Sequence, residues 1–155
     1  MLNDYVKEEL IILNLDIANQ TELFGKMTEI FEAKNYINEG FYDFILERER
    51  NYPTGIDLGT HTVAIPHGNP EYIKRSFISV VSLRQPIKMK KMEDADEEID
   101  VDLFFILGLN DGTQHLQILK QVISMIQQET FVKSIKSAKT PEEVMEKISA
   151  IAVEK

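Results

Sequence analysis

The run Thr62-Val-Ala-Ile-Pro-His-Gly68 ends on the residues best suited to chemistry in this chain of 155 residues. A neutral imidazole offers one basic nitrogen, an ordinary pKa of about 6.5 and enough nucleophilicity to take up a phosphoryl group near neutral pH. His67 is therefore the candidate acceptor of such a group. Gly68 permits backbone conformations closed to other residues, and lets a ligand come close to main-chain amides that face an anion. On Ile-Pro-His-Gly alone, a loop histidine followed by an ordinary turn is an equally good account.

Other residues have types that fit the same chemistry. Arg48 follows Phe41 by seven positions and Phe44 by four, so it extends the apolar stripe of a helix at its C-terminal end, where a cation suits the helix dipole. It reads either as a snorkelling arginine paired to a neighbouring glutamate or as a guanidinium whose planar fork donates two parallel hydrogen bonds to a phosphoryl group. In Asn51-Tyr-Pro-Thr-Gly55, a turn and loop, Thr54 either lines the pocket or bonds its own turn, while Pro53 and Gly55 read as structural. His115 falls in the first turn of a helix, where the dipole disfavours an imidazolium. It should stay neutral and donate to a phosphate or to His67. His61 lies six residues from His67, about 20 Å away if the intervening chain is extended. One metal could therefore bind His61, His67 and His115 together only with a sharp bend inside the Val-Ala-Ile strand, which nothing encodes, and His61 belongs by default at the surface or a strand edge.

These side chains need elements to carry them. Leu10–Leu15 is apolar and β-branched enough for a first strand. Asn19-Gln-Thr-Glu22 has the form of a capping box, and Leu23, Met27, Ile30 and Phe31 share one face of the helix that follows to about Lys34. Asn38 can cap the helix that carries Arg48. Val63, Ala64 and Ile65 suit a buried strand whose regular pairing stops at Pro66, which puts His67 on a surface loop. Ser76–Leu83 is a strand that Pro86 ends, with Ile87–Lys90 as a short edge, and Glu93–Glu98 is a solvated acidic loop rather than a calcium site. Val101–Leu107, an almost unbroken apolar run, should form the middle of the sheet. Asp111-Gly-Thr-Gln114 caps a helix through Ile126, and Thr140-Pro-Glu-Glu143 starts the last one. Strands alternating with helices indicate an α/β sandwich in one domain.

The composition sets limits. A net charge of -9 gives no basic field for nucleic acid or an anionic membrane, and favours a partner with a basic docking face. The chain has no cysteine, which excludes disulfides, thiolate zinc sites and cysteine nucleophiles. The start lacks the regions of a signal peptide, and no apolar run nears the ~20 residues of a membrane helix, so a cytoplasmic location is expected.

Glu47-Arg48-Glu49, Pro53-Thr54-Gly55, Ala64-Ile65-Pro66-His67-Gly68 and His115-Leu-Gln-Ile-Leu119 occur in the order and approximate spacing of a known family. From about residue 5 to 150 the chain resembles the enzyme IIA proteins of the bacterial sugar phosphotransferase system, fructose and mannitol class. The long form Arg48–Ile56 followed by His61–His67 is most similar to the galactitol-type branch. The resemblance implies a three-layer α/β sandwich, a mixed central sheet with helices on both faces. It implies that Nε2 of His67 takes a phosphoryl group from the histidine-containing phosphocarrier protein and passes it to a cysteine of an enzyme IIB component, for uptake of a sugar alcohol. It further implies that Arg48, rather than Arg50, belongs to the active site, with His115 matching the second histidine of the mannitol-type pattern. Neither cofactor nor metal is expected. A regulatory module phosphorylated at His67 that signals to another protein is the alternative.

Overall fold

The computed structural model describes residues 2–153. Its centre is one five-stranded mixed sheet built from β1 (Ile12–Leu15), β2 (Gly55–Asp57), β3 (Thr62–Ala64), β4 (Phe77–Lys90) and β5 (Glu98–Gly108), in the order β1-β4-β5-β3-β2. The β1–β4 and β3–β5 pairs are parallel, while β4–β5 and β2–β3 are antiparallel. The apolar run Val101–Leu107 lies in β5, the middle strand, with side chains buried on both faces, as its lack of polar alternation requires.

Two cores follow, one on each face. On the first, α1 (Gln20–Ala33) and α2 (Phe41–Asn51) bring Leu23, Met27, Phe31, Phe41 and Ile45 against Ala64, Phe104 and Ile106. On the second, α3 (Gly112–Ile126), α4 (Glu129–Ser137) and α5 (Pro141–Val153) bring Ile118, Val122, Phe131, Val132 and Ile148 against Val63, Phe105 and Leu107. Each such fully buried side chain is worth about 1.5–3 kcal/mol. The result is the expected three-layer arrangement.

The helix starts follow local chemistry. Asn19 accepts from the Glu22 amide at 3.0 Å, and the Glu22 carboxylate accepts from the Ala18 amide at 3.0 Å. Thr140 accepts from the Glu143 amide at 3.2 Å.

Several expectations are corrected. The first strand starts later than Leu10, because Glu8–Leu10 closes a 3-10 turn. Asn38 does not cap α2. Gly40, at φ 96°, takes that place, and the Asn38 side chain donates to the Glu71 carbonyl at 3.0 Å. Pro86 does not end its strand, and β4 runs through it without a break to Lys90. The pairing with β5 shifts register between Ser82 and Ile87, and β1 reaches no further than Leu83, so no neighbour requires the missing N–H. The helix α4 is not among the expected elements, although its buried residues Phe131, Val132 and Ile135 recur at helical spacing. The acidic run sits in the turn between β4 and β5, and Glu98 belongs to β5 itself.

Candidate active site

The ends of β3 and β5 lie side by side, and the chain just beyond them builds the site. Regular strand ends at Ala64, yet hydrogen bonding does not stop at the proline: Pro66 still has a carbonyl, which accepts from the Leu107 amide at 2.9 Å. The Gly68 amide then donates to the Leu107 carbonyl at 3.2 Å. His67 is thereby held on a continuation of the sheet rather than on a free loop.

The bonds at its ring fix the tautomer. Nδ1 lies 3.0 Å from the carbonyl oxygen of Ile65, an acceptor only, so this nitrogen carries the proton. Nε2 lies 3.3 Å from Nη2 of Arg48, a donor only, so this nitrogen carries the lone pair. Two independent neighbours thus select the same neutral form. Burial, chiefly, holds the His67 imidazole below its ordinary pKa; the Ile65 bond opposes this, while the charges of Arg48 and His115 add to it.

Arg48 reaches this position from the last turn of α2, its guanidinium 4.8 Å from the centre of the Tyr52 ring. The glutamate pairing of one of its two readings is not what is seen: among the described residues no glutamate forms an ion pair with it, and its Nη2 meets His67 instead. Its Nε is buried and has no partner. From the opposite face of the sheet, Asp111 caps α3 by accepting from the Thr113 amide at 2.9 Å, and His115 projects from the first turn. The His115 ring stands edge-on to that of His67, with centroids 5.3 Å apart, and its Nδ1 is likewise buried without a partner. Burial, then the Arg48 charge, lowers its pKa as well. A cavity of about 250 Å³ opens between them, walled by Arg48, His67, His115, Gly112 at the start of α3, and Leu116. It presents a nucleophilic nitrogen, one fixed cation and a helix N-terminus, with the unpartnered Nε of Arg48 and Nδ1 of His115 buried in the residues of its wall: a setting for an anion reacting at Nε2.

Two further candidates sit differently from their expected places. Gly68 lines the cavity, but its amide is taken by Leu107 and faces no ligand, and its φ is not positive. Its lack of a side chain serves space instead, because a Cβ there would lie 2.9 Å from the Phe41 ring. Thr54 is buried and does not line this cavity, bonding to Glu49 instead. His61 lies elsewhere, its ring 3.0 Å from the Thr60 hydroxyl and 3.3 Å from the Ile126 carbonyl. Among the described residues no three histidine or carboxylate side chains gather as a metal would require, and no helix is long and apolar enough to cross a membrane.

Sequence reasoning missed Glu49. It is 4% exposed, accepting from the Thr54 amide at 2.7 Å and from the Thr54 hydroxyl at 2.8 Å, and burial pushes its carboxyl up to about 7. The available signal was its spacing. Phe41, Ile45 and Glu49 are the three buried residues of α2, four positions apart, so a carboxyl stands where an apolar side chain belongs.

A mixed sheet between two helical layers, with a histidine and an arginine meeting where the strands end, places the chain among α/β proteins of the enzyme IIA type. Residues 4–151 match the family described as "Phosphoenolpyruvate-dependent sugar phosphotransferase system, EIIA 2", and the chain belongs to that family, as a component of the phosphotransferase system. It is 24% identical over 121 residues to the galactitol-specific EIIA component of Escherichia coli K12, covering 78% of this chain and 80% of that protein. It is 25% identical over 147 residues to the 2-O-alpha-mannosyl-D-glycerate-specific EIIABC component of Escherichia coli K12, covering 93% of this chain. Of that larger relative the chain spans 22% of the length. In structure it is similar to the mannitol-specific cryptic phosphotransferase enzyme IIA of Escherichia coli, with a TM-score of 0.75 at 21% identity over 96% of this chain and 98% of that one.

Proposed function

We propose that this protein is a single-domain cytoplasmic phosphocarrier whose His67 receives a phosphoryl group from the histidine-containing phosphocarrier protein and delivers it to an enzyme IIB component. The observation that carries this reading is the state of the ring: the proton is held on Nδ1 by Ile65, and the lone pair of Nε2 faces a cavity containing the Arg48 guanidinium.

In the first step the N–P bond of the donor's phosphohistidine breaks as the Nε2–P bond forms. The electron pair of the old bond stays on the donor. His67 attacks with its lone pair and keeps its Nδ1 proton on the Ile65 carbonyl, so bond formation does not wait for a proton to leave. Once Nε2 is bonded to phosphorus it can no longer accept from Arg48, and the guanidinium turns to the phosphoryl oxygens. Its unpartnered Nε supplies a second prong. The loose transition state of phosphoryl transfer needs alignment and charge compensation, which Arg48, His115 and the α3 N-terminus provide. In the second step a cysteine thiolate of the IIB partner takes the phosphoryl group and Nε2 regains its lone pair. Leu116, 60% exposed, and Tyr52, 65% exposed, flank the site and give both partners an apolar rim to dock on.

For the transported solute we propose a sugar alcohol of the galactitol type. The support is the long Arg48–Ile56 segment and the relative specific for galactitol at 24% identity. A relative specific for a mannosylglycerate at 25% identity is the competing indication.

The test is incubation with phosphoenolpyruvate and the general phosphotransferase proteins, followed by mapping of the acid-labile phosphate. Wild type should be labelled at His67, and folded His67→Ala should take no label. Full labelling of that variant ends the assignment. Loss of galactitol uptake on deletion of the gene supports transport, whereas unimpaired uptake would leave the regulatory role.

A further inference from the structure

The mechanism above uses Arg48 and gives no part to its neighbour, although Glu49 is the one carboxylate among the buried polar side chains of the described residues. A carboxyl in a core is costly unless its oxygens are met by donors, and here both are met by one residue. Thr54 gives Glu49 its amide at 2.7 Å and its hydroxyl at 2.8 Å. Thr54 in turn accepts, through its carbonyl, from the Ile65 amide at 3.3 Å. Ile65 then accepts, through its own carbonyl, the Nδ1 proton of His67 at 3.0 Å. The chain of contacts starts one residue beyond Arg48, which meets the other nitrogen of the same ring at 3.3 Å.

We propose that Glu49 is a positioning residue: by holding Thr54 it fixes Ile65, and through the Ile65 carbonyl it keeps His67 in the tautomer that leaves Nε2 free to attack. Arg48 and Glu49 thus hold opposite nitrogens of one imidazole, the first directly and the second through two backbone links. The proposal rests on His67 being the phosphoryl acceptor, and it adds a reason for the order Arg-Glu. Adjacent helical residues point about 100° apart, so one side chain can face the cavity while the next turns under the chain that leads into the strand.

The geometry predicts which replacement should succeed. In Glu49→Gln the amide oxygen can accept from the Thr54 N–H and the amide nitrogen can donate to the Thr54 hydroxyl, so both contacts survive without the charge. In Glu49→Ala neither survives.

The experiment measures two things on wild type and both variants: the ring nitrogen NMR shifts of His67 in the unphosphorylated protein, and the rate of labelling by the phosphorylated carrier protein. For Glu49→Gln a single Nδ1–H tautomer is expected, with a rate within about twofold of wild type. For Glu49→Ala a mixture of tautomers is expected, with kcat at least about tenfold lower and the KM for the carrier protein little changed, the signature of a misaligned ring rather than a damaged docking face. A single tautomer with wild-type kcat in Glu49→Ala overturns the proposal. A Glu49→Gln variant as slow as Glu49→Ala, with its tautomer intact, also overturns it, since charge and not position would then be at work. Should Glu49→Ala fail to fold, Glu49→Leu fills the space while removing both contacts and is read by the same two measurements; an unchanged tautomer and rate there sink the idea. Because the tautomer is read without any phosphoryl donor, failure here is distinct from failure of His67 to be labelled in wild type.

Discussion

Replacing Arg48 separates the two contributions that a guanidinium makes beside His67. Arg48→Lys keeps a cation at the end of α2 but loses the planar fork, and with it either the contact of Nη2, now 3.3 Å from Nε2, or that of the partnerless Nε. One hydrogen bond to a charged group is worth about 1.5–3 kcal/mol, so transfer should slow by about 10- to 150-fold. Arg48→Met keeps the stem and removes the charge too. A unit charge at about 4 Å from a phosphoryl oxygen, at an effective dielectric of about 20, contributes about 4 kcal/mol, so this variant should lose about a thousandfold. The two variants also differ in the resting ring. The Arg48 charge lowers the pKa of both His67 and His115, so Met at this position should raise both and Lys should raise neither as far. Rapid-quench labelling gives the rates, and an NMR titration of the ring protons gives the pKa shifts. Equal rates for Lys and Met variants, or a His67 pKa that falls in the Met variant, would refute the account of Arg48 as a fixed, fork-donating cation.

The remaining predictions concern residues around that pair. His115→Ala should keep its fold and slow onward transfer, because an imidazole is lost from the cavity wall; an unchanged rate reduces His115 to a helix-end residue. Gly108→Ala should lower the melting temperature, since a Cβ there would stand 2.3 Å from the Phe77 ring at the end of the β4–β5 ladder; overpacking of this sort costs about 1–3 kcal/mol, and an unshifted melt would mean that the ring moves freely. Burial raises the Glu49 carboxyl from 4.5 to about 7, with Arg48, Arg50 and Lys90 the cations near it. A folded pKa above the unfolded one contributes stability that is whole below 4.5 and lost as pH rises through about 7. Glu49→Gln is spared that loss, so its stability relative to wild type should grow by about 3 kcal/mol between about pH 5 and pH 8 in denaturant titrations; a difference independent of pH would contradict the burial.

What the sequence carries of the fold and of the site, and what it does not, divides along a physical line. The neighbours of His67 were legible only in part. The apolar stripe left Arg48 with two readings, and the resemblance to the enzyme IIA family, rather than spacing, chose between them; His115 was placed by its first-turn position and by the same resemblance. The central position of β5 was legible because a run without polar residues has to be covered on both faces. Pro86 misled because its rule concerns a missing donor, and at a register shift no acceptor waits for one. Gly68 misled in the opposite way. Glycine suggested a free amide beside the ligand, but the open carbonyl of Pro66 kept the parallel ladder going, and Leu107 took the amide.

Glu49 shows why burial and chemistry should be read from the same stripe. Phe41, Ile45 and Glu49 bury the same edge of α2, and that edge seats the helix on the end of the sheet. If the third member were leucine, the seat would remain but the Thr54 amide would lose its acceptor, just where the chain enters the β2–β3 pairing. The Ile65 carbonyl hangs from that segment, and the imidazole hangs from the carbonyl. A polar residue in an apolar register is therefore a structural device with a chemical result: it fixes which nitrogen of a ring two steps away is free to react.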